Sequence, residues 1–169
     1  NVYVLNVHRL NESCLLWKYG SDGTMLVRLS LLDPGSPAKV ADPAALHVSH
    51  DGKTLCLISG QQDQAHPGSV VLYGLSSEDF SLVRTVLIEG MPLATSIMED
   101  PATSTLWVTG FRTTEEAAAF PWLPAKFTHT ALLAKVLAGV KTAEATAATD
   151  PTADGSTLPV SILWTGAVQ

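Results

Sequence analysis

The feature that most constrains this chain is a strand-turn-strand pattern that returns at intervals of about 50 residues, a period typical of stacked β-sheet repeats. It is clearest in residues 46–75, LHVSHDGKTLCLISGQQDQAHPGSVVLYGL. Leu46 and Val48 alternate with His47 and Ser49, and the run from Leu55 to Ser59 is rich in strand formers. Between these runs Asp51-Gly52 supplies the dipeptide that closes a tight hairpin. A second turn cluster at 60–68 carries Pro67 and Gly68 and leads into another apolar run at 69–75.

Other segments repeat this order. Runs 1–7, 55–60 and 105–110 resemble one another and read as the second strand of each unit, and 14–19, 69–74 and 130–136 read as the third. Outer strands follow at 25–31 and 82–88, where Arg28 and Arg84 stand among aliphatic residues, as an edge strand tolerates. Inner strands at 45–49 and 94–98 precede the second ones, and 158–164, LPVSILW, has the same character. The pattern predicts an all-β fold of four-stranded antiparallel β-propeller blades. Its best-defined strands are 55–59, 69–75, 82–88, 105–111 and 131–136.

About three blades are fewer than the four that a propeller ring requires. The expectation is a single domain over 1–169 that forms part of a larger ring, completed by another polypeptide chain or by the rest of a precursor. The chain opens at Asn1 with no signal-like segment, which reads as processing or a fragment. In this register 158–164 completes the blade that begins with 1–7. Residues 142–157, TAEATAATDPTADGST, are low-complexity and read as a loop, and 114–119 have the composition of a short helical turn.

Length and charge narrow the function. A chain of 169 residues can bury one sizeable core. Its net charge of -6 argues against a nucleic-acid footprint and against anionic membrane surfaces. No apolar run approaches the roughly 18 residues of a membrane helix, so no membrane span is expected. Charged residues make up 15% of the chain, below the roughly 25% of typical soluble domains, which suits a β-rich secreted protein. Cys14 and Cys56 match neither a dense disulfide framework nor a metal motif, and two buried strand thiols are favoured over a disulfide between them.

Residues 106–111, LWVTGF, followed by Phe120-Pro121, Phe127 and 131–135, ALLAK, resemble the SBBP repeat of secreted bacterial and archaeal β-propellers. The stretch 46–55 is similar to the Ser-Pro-Asp-Gly-Lys turn of YVTN-type propellers, with His50 where those families carry Pro. Together the resemblances span roughly residues 46–136. They imply extracellular or periplasmic residence and a scaffold or interaction role, and they carry over no catalytic residue.

Candidate chemistry is sparse. His47 and His50 are weak metal-ligand candidates, because a spacing of three on a strand points them to opposite faces and a third ligand must come from Asp51, His8, His66 or His129. No nucleophile elbow, phosphate loop, dinucleotide fingerprint or haem-attachment motif occurs, and no cofactor is expected. The pairs Glu99-Asp100 and Glu115-Glu116 read as solvated rather than as acid–base partners. Trp17, Trp107 and Trp164 lie in strand-like runs and are expected to fill the space between blades. Trp122 follows Pro121 in a long loop, where an aromatic ring is a candidate contact for a sugar or a protein partner. Asn11-Glu12-Ser13 is an N-glycosylation acceptor if the source glycosylates secreted proteins. The leading reading is a non-catalytic propeller scaffold. The competing one is part of a propeller enzyme, a lactonase-type hydrolase or a periplasmic redox-enzyme subunit, with the site shared between blades.

Overall fold

The run Thr54–Ser59 contains only strand-compatible residues, and four consecutive members, Leu55, Cys56, Leu57 and Ile58, are all buried. A strand turns successive side chains to opposite faces, so such a run must be covered on both sides. The computed structural model, which describes residues 1–8, 13–40, 42–116, 126–137 and 140–148, shows how. Eleven strands, and no helix, occur among the described residues. They are β1 (Val2–His8), β2 (Ser13–Tyr19), β3 (Met25–Ser30), β4 (Pro43–Val48), β5 (Thr54–Ser59), β6 (Val70–Ser76), β7 (Leu82–Ile88), β8 (Leu93–Asp100), β9 (Thr105–Glu116), β10 (Lys126–Leu137) and β11 (Val140–Ala148).

All pairings are antiparallel between sequence neighbours, giving three sheets: β1-β2-β3, β4-β5-β6-β7 and β8-β9-β10-β11. The second sheet is the middle layer. Leu55, Leu57 and Leu75 join Cys14, Leu16 and Leu31 in one apolar cluster against the first sheet. Cys56, Ile58, Val70, Leu72 and Val86 join Ile97, Leu106, Val108, Leu132 and Ala134 in another against the third. Each fully buried leucine of these layers contributes about 2 kcal/mol.

Two glycines 50 positions apart do the same job. A Cβ on Gly60, just beyond β5, would lie 2.7 Å from the Asp42 carbonyl oxygen, and one on Gly110 in β9 would collide with the Leu93 carbonyl oxygen. Asp42 and Leu93 stand at the entries to β4 and β8, so both sheets bring the incoming chain against the second strand where no side chain fits. The Gly60 N–H donates to the Asp42 carbonyl at 2.6 Å.

The hairpin expected at Asp51-Gly52 forms. Ser49 Oγ donates to Asp51 Oδ1 at 2.7 Å, the Lys53 N–H donates to the same oxygen at 3.0 Å, and Gly52 takes the left-handed conformation its missing Cβ allows. In the third sheet Asp100 organises the corresponding turn by accepting from the Ala102 N–H and the Thr103 hydroxyl. The five best-defined expected strands all appear. Two expectations fail. Residues 142–148 belong to β11, because ladder pairing with β10 satisfies their backbone whatever their composition, and residues 114–116 extend β9 instead of starting a helix. The remainder of the predicted loop, residues 117–119 and the strand-like 158–164 lie outside the described residues.

Candidate functional site

The polar groups concentrate where the hairpin ends of the second and third sheets meet. β8 carries Glu99 to this junction beside β4, and the Glu99 side chain is only 7% exposed. A carboxylate so buried needs hydrogen-bond partners. Its Oε2 accepts the His50 main-chain N–H at 2.7 Å and lies 3.1 Å from Nε2 of His47. Neutral His47 makes this bond by carrying its proton on Nε2. The expectation for Glu99 is thereby corrected: the residue is a buried tie between two sheets, not part of a solvated loop, because its strand is sandwiched against the second sheet.

His47 and His50 do converge, but through one imidazole and one backbone amide on a carboxylate. No cluster of three or more His, Cys, Asp or Glu placed to hold a metal occurs among the described residues. His66 is engaged elsewhere, with Nδ1 3.2 Å from Asp63 Oδ2.

Beside the Glu99 tie a cavity of about 340 Å³ is lined by Ser49, Asp51, Cys56, Arg84, Glu99 and Ser104, among others. Arg84 reaches it by an unusual route. Gly74 pairs with Arg84 on one side and with Cys56 on the other, so the three are in register across β7, β6 and β5. A Cβ on Gly74 would sit 2.7 Å from Arg84 Cγ and 3.2 Å from its Nε, so the arginine lies over the bare glycine. Burial pushes the Cys56 thiol up from its ordinary range, and the guanidinium opposes that rise. Asp51 is held below the usual carboxylate range by the Lys53 N–H and then by the Ser49 hydroxyl. Ser104 closes the edge with a left-handed backbone at φ 53°.

A second cavity, of about 390 Å³, lies under the 61–68 loop and is lined by Lys39, Asp42, Gln61, Asp63, Gln64 and Tyr73, among others. The loop is organised internally. Asp63 Oδ1 accepts the Ala65 N–H, and Gln62 Oε1 accepts the Gly68 N–H at 2.8 Å. Burial, with a smaller contribution from the Asp63 charge, raises the Tyr73 hydroxyl above its ordinary range.

Trp17 and Trp107 belong to neither of the two inter-sheet clusters. Leu16 and Leu106 point into the inter-sheet clusters, so the adjacent Trp17 and Trp107 face outward from the first and third sheets. Trp17 meets Tyr19 edge-on at 6.3 Å, and Lys135 Nζ lies 5.5 Å from the Trp107 ring. Both indole N–H groups are shielded from solvent and donate to nothing among the described residues. The inter-sheet spaces are filled instead by aliphatic residues and Phe80. Trp122, Trp164 and Asn11 lie outside the described residues.

Cys14 and Cys56 are both free and buried, one in each apolar cluster on opposite sides of the middle sheet. Sequence reasoning passed over Arg84, Gly74 and Cys56 as site residues. One signal was present, since an interior strand glycine often marks a close approach by another group. No protein-family model, curated protein or solved structure matches the chain.

Proposed function

We propose that the chain is a portion of a β-propeller acting as a non-catalytic scaffold and protein-binding module in the extracellular space or periplasm. The observation that carries this reading is the middle sheet, covered on both faces by sheets built in the same strand order, with Gly60 and Gly110 in matching roles. Repeat sheets bury their faces against neighbours, and a ring of them needs at least four. Three sheets leave two outward faces, which here carry Trp17 and Trp107. The outer strands add apolar exposure, with Met25 55% and Val83 58% accessible. A further polypeptide, or more of the same precursor, covers these faces in the working assembly.

Light scattering at micromolar concentration, combined with hydrogen exchange of residues 2–7 and 158–164, tests the proposal. Self-association, or slow exchange of residues 2–7 only when a partner is added, is expected. A monodisperse monomer with both segments fully protected would mean that the chain closes on itself, and the proposal would fall.

A further inference from the structure

Arg84 is the starting point. A guanidinium carries five N–H donors, yet no carboxylate forms an ion pair with Arg84 among the described residues. The side chain is nevertheless laid inward across Gly74 rather than extended into solvent. Arg84 lines a cavity of about 340 Å³, at the lower end of the range of small-molecule sites. A planar, permanently charged fork in such a place suits a planar oxyanion.

The other charged residues lining the cavity decide which oxyanion. Glu99 uses Oε2 for His50 and His47, and Asp51 uses Oδ1 for Ser49 and Lys53. Glu99 Oε1 and Asp51 Oδ2 accept nothing from the described residues, and both residues line the same cavity. Two carboxylates sharing one cavity lining with a guanidinium disfavour a doubly charged phosphate, whose second charge would meet like charge. They favour a ligand that brings its own cation.

We infer that this cavity binds a small zwitterion of the amino-acid class, its carboxylate taken by Arg84 and its ammonium by the open oxygens of Glu99 and Asp51. Ser49, Ser104 and Leu106 also line the cavity, Leu106 adding an apolar side chain. The site is formed within the second and third sheets and does not depend on completion of a ring. It therefore stands or falls separately from the scaffold reading.

Heteronuclear NMR of the full chain tests this by titration with L-alanine, L-leucine and L-glutamine, and with acetate, methylammonium and inorganic phosphate as probes lacking one end or carrying excess charge. Saturable shifts at the Arg84 Nε–H and the His50 and Ser104 amides are expected with the amino acids, with acetate and methylammonium at least about tenfold weaker, the loss expected when one charged end is missing. Arg84→Lys keeps the charge but loses the fork, and should weaken binding about tenfold with the remaining amide spectrum unchanged. No saturable shift at Arg84 Nε–H with any amino acid would overturn the inference. So would phosphate or acetate binding as tightly as the zwitterions, or an Arg84→Lys protein that binds like the parent. The wild-type titration decides the matter even if the variant fails to fold.

Discussion

Arg84 on β7 lies over Gly74 on β6 so closely that a single carbon added to the glycine would stand 2.7 Å from the arginine Cγ. The arginine side chain can lie across β6 only because that position, in register with Cys56 on β5, is bare. Gly74→Ala should therefore evict Arg84 and cost about 1–3 kcal/mol, the usual scale of overpacking. Adding Arg84→Ala should recover part of the loss, with a coupling of at least about 0.5 kcal/mol. Urea unfolding of the four proteins in the cycle, followed by tryptophan fluorescence, measures it. Strictly additive effects would show that the two residues do not share the space.

Glu99→Ala removes the acceptor of the His50 amide at the junction of two sheets. Leaving that donor and His47 without their partner should cost about 1–3 kcal/mol. Amide exchange reports the effect locally, since His50 should exchange faster while the middle of β5 remains protected. An unchanged His50 rate would contradict the tie between sheets.

Glycine substitutions should divide sharply by position. Gly110→Ala drives a methyl group into the Leu93 carbonyl, which is backbone and cannot swing away, and a loss above about 2 kcal/mol is expected. Gly35 has open space around its Cβ position, and Gly35→Ala should be neutral or stabilising by up to about 1 kcal/mol. Thermal melts of the two variants give the comparison. Equal effects would refute the close approach at Gly110.

Cys14 links stability to alkaline pH. Burial, reinforced by the Asp42 charge, raises its thiol from 9.0 to about 11 in the folded chain. The unfolded thiol therefore loses its proton first. The stability contributed by Cys14 is fully present below pH 9 and is lost as pH rises through the folded value. Urea unfolding of the wild type and Cys14→Ala between pH 8 and about 11 isolates this contribution, because other alkaline groups titrate in both proteins. Their stability difference should be constant at the lower pH and shrink toward the upper one, and a difference that grows would reverse the assignment.

By itself the sequence determined most of the segments that become strands and how they join into meanders. Alternation at Leu46-His47-Val48, the apolar run Leu55–Ile58 and the Asp51-Gly52 turn act over a few residues, where backbone geometry and turn chemistry suffice. Even the edge position of β7 was legible from Arg84 among aliphatic neighbours, although its side chain turns inward rather than out. Tertiary structure decided which face of each strand is covered and which polar groups meet. Glu99 finds the His50 amide 49 positions away, Arg84 finds Cys56 across two strands, and Trp17 and Trp107 are turned outward because the aliphatic residues beside them take the inward face. The strand at 142–148 was hidden for the same reason, since its alanines disfavour the extended form, its threonines favour it, and pairing with β10 settles the matter.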